Sequence, residues 1–549
     1  RESTPGTLRG ALMSSSVDIH ELPRQWFERS QYRPLVTDLD RDRWFLLARE
    51  EMSLKTIGAA ECQARAAKPL PDREGLAAAV QSTYEDWNLP CPPQTAAGIE
   101  RLGRDETLCV VTGQQPGFLG GPLYVLYKAL SAISLARWIE ESYGTPCVPV
   151  FWVAGEDHDI DEVRTARFPV DGEAAAFSLP HEVSRVPLSK LAIDSQCEKV
   201  LAEFISSIAT REYSDTVEDL ASQYHGRNLA SGFAALLAKL LGSHGLVFID
   251  PEKLRPLARP LLRRCLENPA EMITQIESSA EELKATGLKP FVSSRFPLFL
   301  LREGNRDHLA PSKNGLCVDG GGPELDRQEL LDLLEKNPER FSAGALLRPI
   351  IQDYLLPSVA TIGGPAEVGY YAQLGQLSSW LDVPTPRILL RFQATILDGE
   401  SSRAWGELNI GAAELAAAQC PEDLVKTGSD RTELKELRKI HEQLETLGGS
   451  LAQENPGSRS LEKGLKKAHG ALGRLEDRIR KLQARSDTPG WKNATTLWQQ
   501  VLPGGTLQER HWGYLHLIAE HGTGWIDELL ESIRTDPFSL CHHLVHLKP

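Results

Sequence analysis

VVTGQQPGFLGGPLYVLYKAL, from Val110 to Leu130, and VPVFWVAGEDHDIDE, from Val148 to Glu162, decide how the rest of this chain is read. The stretch 107–112 is a β-branched apolar run that stops at Gly113, and 147–153 is a second one that stops before Gly155. Between them Leu126, Leu130, Ile133, Ala136 and Ile139 recur near helical spacing over Leu123–Tyr143, and Gly144 follows as a C-cap. A strand, a helix and a second strand at this spacing predict a parallel βαβ unit. Past the second strand the chain turns abruptly from apolar to ionisable: Glu156, Asp157, His158, Asp159, Asp161 and Glu162. Such a cluster is costly without a ligand or partner to organise it, and in open parallel sheets ligands sit beyond the carboxyl ends of the strands.

The loop between first strand and helix fits no phosphate fingerprint. Neither G-x-x-x-x-G-K-[ST] nor G-x-G-x-x-G occurs at 113–121. Gly113, Gly117, Gly120 and Gly121 would let backbone amides approach an anion at the helix start, with Gln114, Gln115 and Lys128 nearby; a tight turn with structural glycines is the competing reading. Asp157, Asp159 and Asp161 open like a calcium loop, but Glu162 and Phe168 stand at its sixth and twelfth positions, which excludes it. Recognition of a substrate amine by carboxylates, with His158 for proton transfer, is left beside a metal site and a solvated acidic loop.

Further along, short strands near Phe168–Val170 and Ala176–Leu179 predict an insertion over 163–230, and GLVFID (Gly245–Asp250) another core strand within 231–265. A second insertion is expected over 266–345, with Gly320–Gly322 as a turn. In the resumed core, 346–398, Arg348, Gln352 and Asp353 precede a strand at Val359–Ile362. Gly363 and Gly364 turn it into a helix over Pro365–Leu381 carrying Glu367, Tyr370 and Tyr371, and Arg387–Phe392 forms a last strand. Arg348 suits a carboxylate ligand or an ion pair with Asp353 equally well. Over 431–483 two heptad seams, Leu437 to Leu451 and Leu461 to Leu482, flank an Asn-Pro-Gly break and predict an antiparallel helical hairpin within a coiled-coil domain at 399–505. Each arm of roughly 22 residues would reach about 33 Å at 1.5 Å per residue. So long an apolar seam suggests self-association, a homodimer. Residues 506–549 read as C-terminal helices, with His542, His543 and His546 an incidental cluster on the last of them. The N-terminal stretch to residue 18 is expected to be disordered, with Met13 nearer a natural start, and residues 19–162 make the first part of the core, helical over 20–90.

Composition narrows the class. Length alone allows about three or four domains. A formal charge of −15 argues against a broad nucleic-acid face. Nine scattered cysteines without a CxxC pair argue against a disulfide framework and for a reducing cytoplasm. No apolar run nears 18 residues, so no membrane span is expected, and Arg1–Ser16 lacks the apolar core of a secretory signal.

GQQPGFLGGPLYVLYKAL, VPVFWVAGEDHDIDEV, LLRPIIQDYLLPSVATIGGPAEVGYYAQL and LQERHWGYLHLIAEHGTGWIDELLESI together resemble the bacillithiol biosynthesis cysteine-adding enzyme family, from about residue 20 to 535. The resemblance implies an α/β fold: a Rossmann-like, nucleotidyltransferase-type parallel-sheet core with connecting insertions, and a helical coiled coil used for dimerisation. It implies a ligase that joins cysteine to the amino group of glucosaminyl-malate, with the three strand-end blocks lining one pocket. On that expectation Glu156, Asp157, His158 and Asp159 carry the chemistry, the acids holding the two amines. Gly113, Gln114, Gln115, Gly117, Gly120, Tyr124, Lys128 and Trp152 bind substrate from the first two blocks. Arg348, Gln352, Asp353, Gly363, Gly364, Glu367 and Tyr371 do so from the third; the malate carboxylates fall to Arg348 and the amides after Gly117. Family members often carry Thr where Gly120 stands, and neither H-x-G-H nor a Lys-rich second signature is present. Amide formation needs an activated acyl donor, so ATP or another activating nucleotide, and a divalent metal, remain open as cofactors, with no residue assigned as metal ligand. The rival readings are a non-catalytic thiol-metabolite binding protein and a metal-dependent amidohydrolase using the EDHD cluster.

Overall fold

The computed structural model describes residues 13–18 and 57–547, apart from 68–69, 171–172, 286–288, 294, 313–314, 320–321, 419, 426–431, 455–458, 487 and 538–540. Much of the helical reading of 20–90 therefore lies outside the described residues, as do Gly320, Gly321 and the Asn-Pro-Gly break. The chain divides into two units.

The first unit is built on a five-stranded sheet in the order Arg387–Leu390, Ser358–Gly363, Leu108–Gln114, Cys147–Val153, Val247–Ile249. Every pairing is parallel, with Leu108 opposite Cys147 and Gln114 opposite Val153. All seven residues of Cys147–Val153 are buried, because helices cover both faces and polar alternation is not tolerated. On one face Leu135, Ala136 and Ile139 of the helix Leu123–Tyr143 pack on Leu108, Val110, Val359 and Ile362. On the other Phe151 meets Phe233, from the helix Leu229–Leu241, at 5.8 Å between ring centres. Gly144 takes φ 65° and ends Leu123–Tyr143 in the left-handed conformation that glycine adopts without penalty. Chain order runs outward in one direction from Leu108–Gln114 and in the other from Ser358–Gly363. The boundary between these two strands is the switch point at which open parallel sheets bind ligands.

The insertions have separate characters. Thr165–Val170 and Glu173–Ser178 pair as an antiparallel hairpin. The second insertion carries a five-stranded sheet, Glu324–Leu325, Gly315–Val318, Asn305–Ser312, Leu298–Arg302, Phe341–Ala343, antiparallel at every pairing. The helix expected over Pro365–Leu381 is split into Pro365–Tyr371 and Gly375–Trp380. At the break Gln373 turns inward, and its Oε1 accepts from the amides of Phe291 and Val292 at 2.7 and 2.8 Å. Backbone groups that would otherwise be buried without partners thus claim the side chain.

The second unit contains the helices Thr432–Glu454 and Arg459–Ser486. They run antiparallel: His441 meets His469 at 5.0 Å, while Gly448, seven residues on, sits against Leu465. Ile440, Leu447, Leu475 and Leu482 on the heptad positions remain 47–71% exposed. Two terminal expectations fail. Met13–Asp18 is a strand, not disordered chain, and it belongs to a three-stranded sheet with Cys541–His546 and Gln393–Leu397. The C-terminal histidines consequently lie on a strand instead of a frayed helix, and sheet pairing is what orders Met13–Asp18 and Cys541–His546; residues 1–12 of the expected disordered stretch lie outside the described residues. No helix among the described residues is long and apolar enough to cross a membrane.

Candidate active site

An open cleft of about 610 Å³ lies at the carboxyl ends of the central strands in the first unit. All three blocks reach it. Gly113, Gln114 and Gln115 come from the first strand's end, with Tyr124 and Lys128 from the helix behind it; Trp152, Glu156, Asp157 and His158 follow the second strand; Arg348, Gly364 and Glu367 come from the third block.

Lys128 ties the first and third blocks together across the switch point. Its buried ammonium donates to Gly113 O at 2.9 Å and Gln114 Oε1 at 2.7 Å, and pairs with Glu367 Oε2 at 2.5 Å. That Glu367 oxygen also accepts from the Gly364 amide at 2.7 Å, capping the helix Pro365–Tyr371. Burial pushes the Lys128 pKa below its ordinary value against the pull of Glu367. With three donors and three acceptors the ammonium is saturated, so it positions the strand ends.

The acidic loop is organised from the second insertion, and no local sequence signal marks the residue that does it. Arg306, on Asn305–Ser312, lies across the Phe299 ring at 3.8 Å and is 6% exposed. Its Nη1 donates to Asp157 Oδ1 and to His158 Nδ1, each at 3.2 Å; its Nε donates to Ser342 Oγ at 2.9 Å and its Nη2 to Ala343 O at 2.8 Å. Asp157 also accepts from Gln115 Nε2 at 2.8 Å and from the His158 amide at 2.8 Å. A carboxylate offers about four acceptor sites, so one remains, on Oδ2. Glu156 is anchored through one oxygen: buried, its Oε2 takes Arg255 Nη2 at 2.9 Å and the Ser342 hydroxyl at 3.2 Å. Burial lowers the His158 pKa, with Arg306 acting in the same direction, and burial raises that of Glu162 at the cleft.

Several expected site residues lie elsewhere. Asp159 is exposed and outside the cleft. Gly117 and Gly120 do not form an anion cradle. Tyr224 reaches in from behind the loop, accepting from the Gly120 amide at 3.2 Å and donating to Gly117 O at 3.1 Å. The amides of Phe118 and Gly121 are likewise spent on Val163 O and Phe118 O. Gly120 has φ 82°, and a Cβ there would stand 2.1 Å from the Tyr514 hydroxyl oxygen, so the glycine serves packing. Gln352 is buried beneath the cleft and donates to Asp353 and Thr361. Asp353 lines a separate cavity with Arg65 and Ser358. Gly363 and the buried Tyr371 do not line the cleft. Arg348 makes neither the expected ion pair with Asp353 nor a solvent contact alone: it donates to Gln352 Oε1 at 3.2 Å and to the Tyr370 hydroxyl at 2.9 Å.

Two cleft arginines complete the site. Arg391, the residue after the strand Arg387–Leu390, is buried and bidentate on Glu509 at 2.9 and 2.6 Å. Arg510 lines the cleft and makes no hydrogen bond or ion pair among the described residues. Its neighbour relation to Glu509 inside LQERHW is the available signal, in a block that carries the family resemblance but for which the sequence assigns no site residue. Lys128 is saturated, and Arg391 and Arg348 each have part of their donor set tied to protein partners, which makes Arg510 the cleft cation with the most donors to spare for a substrate anion.

Among the described residues no three His, Cys, Asp or Glu side chains stand close enough together to hold a metal. The spent glycine-loop amides and the saturated Lys128 likewise do not fit a phosphate cradle at the first strand's end.

Residues 51–392 match the family described as Bacillithiol biosynthesis BshC, N-terminal Rossmann-like domain. The chain belongs to the BshC family. The BshC C-terminal coiled-coil domain matches 430–547, so Arg510 comes from the second matched region and the other cleft residues named above from the first. Similar curated proteins of the BshC family are named "Putative cysteine ligase BshC". That of Salinibacter ruber is 29% identical, covering 86% of this chain and 88% of its own length. That of Koribacter versatilis is 31% identical over 85% and 88%. That of Geobacillus kaustophilus is 28% identical over 87% and 91%.

Proposed function

We propose that the chain is the cysteine-adding ligase of bacillithiol biosynthesis, forming an amide between the carboxyl group of cysteine and the amino group of glucosaminyl-malate. The observation that carries this reading is the cleft's unspent chemistry. Asp157 Oδ2 and Glu162 offer acceptors to an ammonium group, and Arg510, with the remaining donors of Arg348, offers a site to carboxylates. An amino sugar bearing malate and an amino-acid partner present those two kinds of group. Glu156, its Oε2 locked to Arg255 and Ser342, builds the floor of the cleft. His158 and Asp157 are the polar side chains placed to touch the reacting groups.

Amide formation in water requires an activated cysteine carboxyl, and the activating cosubstrate is to be found by assay with and without ATP. The amidohydrolase reading lacks a ligand set, since among the described residues no three His, Cys, Asp or Glu side chains stand close enough together to hold a metal. Mass spectrometry of thiols in cells lacking this chain tests the proposal: glucosaminyl-malate accumulates and bacillithiol disappears, whereas an unchanged thiol pool refutes it. We also propose that the enzyme acts in the cytoplasm, consistent with nine cysteines that are all free, and that two copies associate through the exposed Ile440, Leu447, Leu475 and Leu482. Replacing Leu447 and Leu475 with Glu should then convert a dimer to a monomer in sedimentation velocity; an unchanged sedimentation coefficient contradicts the association.

A further inference from the structure

His158 touches the cleft with a ring whose two nitrogens have different surroundings. Nδ1 faces Arg306 Nη1 at 3.2 Å, and Asp157 Oδ1 lies 3.6 Å away. A guanidinium has five N–H donors and no acceptor. The contact therefore requires a lone pair on Nδ1, which leaves the neutral ring's proton on Nε2. No hydrogen-bond partner of Nε2 is present among the described residues, and His158 lines the cleft. Arg306 is itself over-determined: Ser342 Oγ, Ala343 O, Asp157 and the face of Phe299 fix its plane. The arginine therefore cannot rotate away from Nδ1 without giving up buried partners.

We propose that Arg306 is a positioning residue that holds His158 neutral with its proton on Nε2, so that His158 presents a hydrogen-bond donor to a carbonyl or carboxylate oxygen of the substrate. The proposal rests on the cleft being the substrate site. It reverses the usual expectation for an acidic loop, in which an aspartate beside a histidine charges the ring or orients it as a base. The groups facing His158 are Asp157 and Asp159 on its own loop, Arg306 from the antiparallel sheet, and Arg185 from the first insertion; burial and Arg306 outweigh the aspartates. Arg306 also takes up one oxygen of Asp157 that would otherwise attract the ring proton.

Nitrogen NMR of protein labelled in its histidine rings, without substrate, tests this, with His158→Gln assigning the signal. In the native chain Nδ1 should resonate as an unprotonated acceptor and Nε2 as a protonated nitrogen. In Arg306→Lys the single tautomer should be lost, and the ring should titrate upward by about half a pH unit or more. The acid limb of kcat/KM should move the same way, with kcat down about 100-fold and KM for cysteine changed less than about threefold. If Arg306→Lys does not fold, Ser342→Ala, which removes the Nε anchor together with the hydroxyl's bond to Glu156, should shift the titration in the same direction by a smaller amount. A native ring protonated on Nδ1 overturns the proposal, as does a titration unmoved in the folded variant. A wild-type chain that forms no thiol product would refute the ligase reading, while the NMR result would still decide the tautomer.

Discussion

The glycine loop after Leu108–Gln114 and the acidic loop after Cys147–Val153 begin alike. Both leave buried parallel strands, in register, at the same edge of one sheet. One is filled from behind and the other faces the cleft. Tyr224 takes the Gly120 amide and ties the Gly117 carbonyl, Tyr514 fills the space beside Gly120, and the Phe118 and Gly121 amides are spent on backbone carbonyls, so these amides do not meet an anion. The acidic loop is held by Arg306, Arg255, Ser342 and Gln115, which leave one acceptor site on Asp157 Oδ2 and one His158 nitrogen available. Position at a strand end offers a site; what the rest of the chain places beside the loop determines whether it is used.

Breaking the open side should cost most. Asp157→Asn should lower kcat/KM about 1,000-fold, with the melting temperature almost unchanged because Asp157 is a third exposed. Breaking the closed side should act on stability instead. Gly120→Ala combines a positive φ with a clash against Tyr514 and should cost about 3 kcal/mol, read by denaturant unfolding, while activity per folded molecule stays within about threefold. Loss of activity without loss of stability would place the glycine loop in the chemistry after all.

Asp353, outside the cleft, should be felt through pH. Burial raises its pKa from 3.8 to about 7 against the hydrogen bond from Gln352. The folded chain thus retains a proton that the unfolded chain releases near pH 4, so the contribution of Asp353 to stability is fully present below that value and is lost as pH rises through about 7. Asp353→Asn should remove that decline, giving a melting-temperature advantage over the native chain at pH 8 that shrinks toward pH 4. The smallest effect belongs to Asp159→Asn: exposed and two residues beyond Asp157, it should leave kcat/KM within about twofold. A large loss there would mean the acidic loop rearranges when substrate binds.

The core was legible because its signals are local. A β-branched run buried on both faces, an apolar helical stripe and a capping glycine locate Leu108–Val153 nearly residue by residue, and heptad spacing locates the coiled-coil arms. Convergence of the three blocks followed from strand-end position. What could not be read depends on contacts between distant residues. Tyr224 fills a loop more than 100 positions earlier, and Arg306 sits in an insertion whose sequence shows only an ordinary strand. The sequence leaves Lys128 facing either the cleft or solvent; it lines the cleft, and its saturation depends on Glu367, so its role as a tie appears only when the two blocks meet. Sheet pairing ordered Met13–Asp18 and Cys541–His546, and pairing across the length of the chain leaves no mark at either end.

The most direct test is reconstitution: purified chain with cysteine and glucosaminyl-malate, with and without ATP, followed by mass spectrometry of the products. Bacillithiol should form with the native chain in one of the two arms and fall about 1,000-fold with Asp157→Asn. No product in either arm, or full product from Asp157→Asn, would contradict the assignment of this cleft to cysteine ligation.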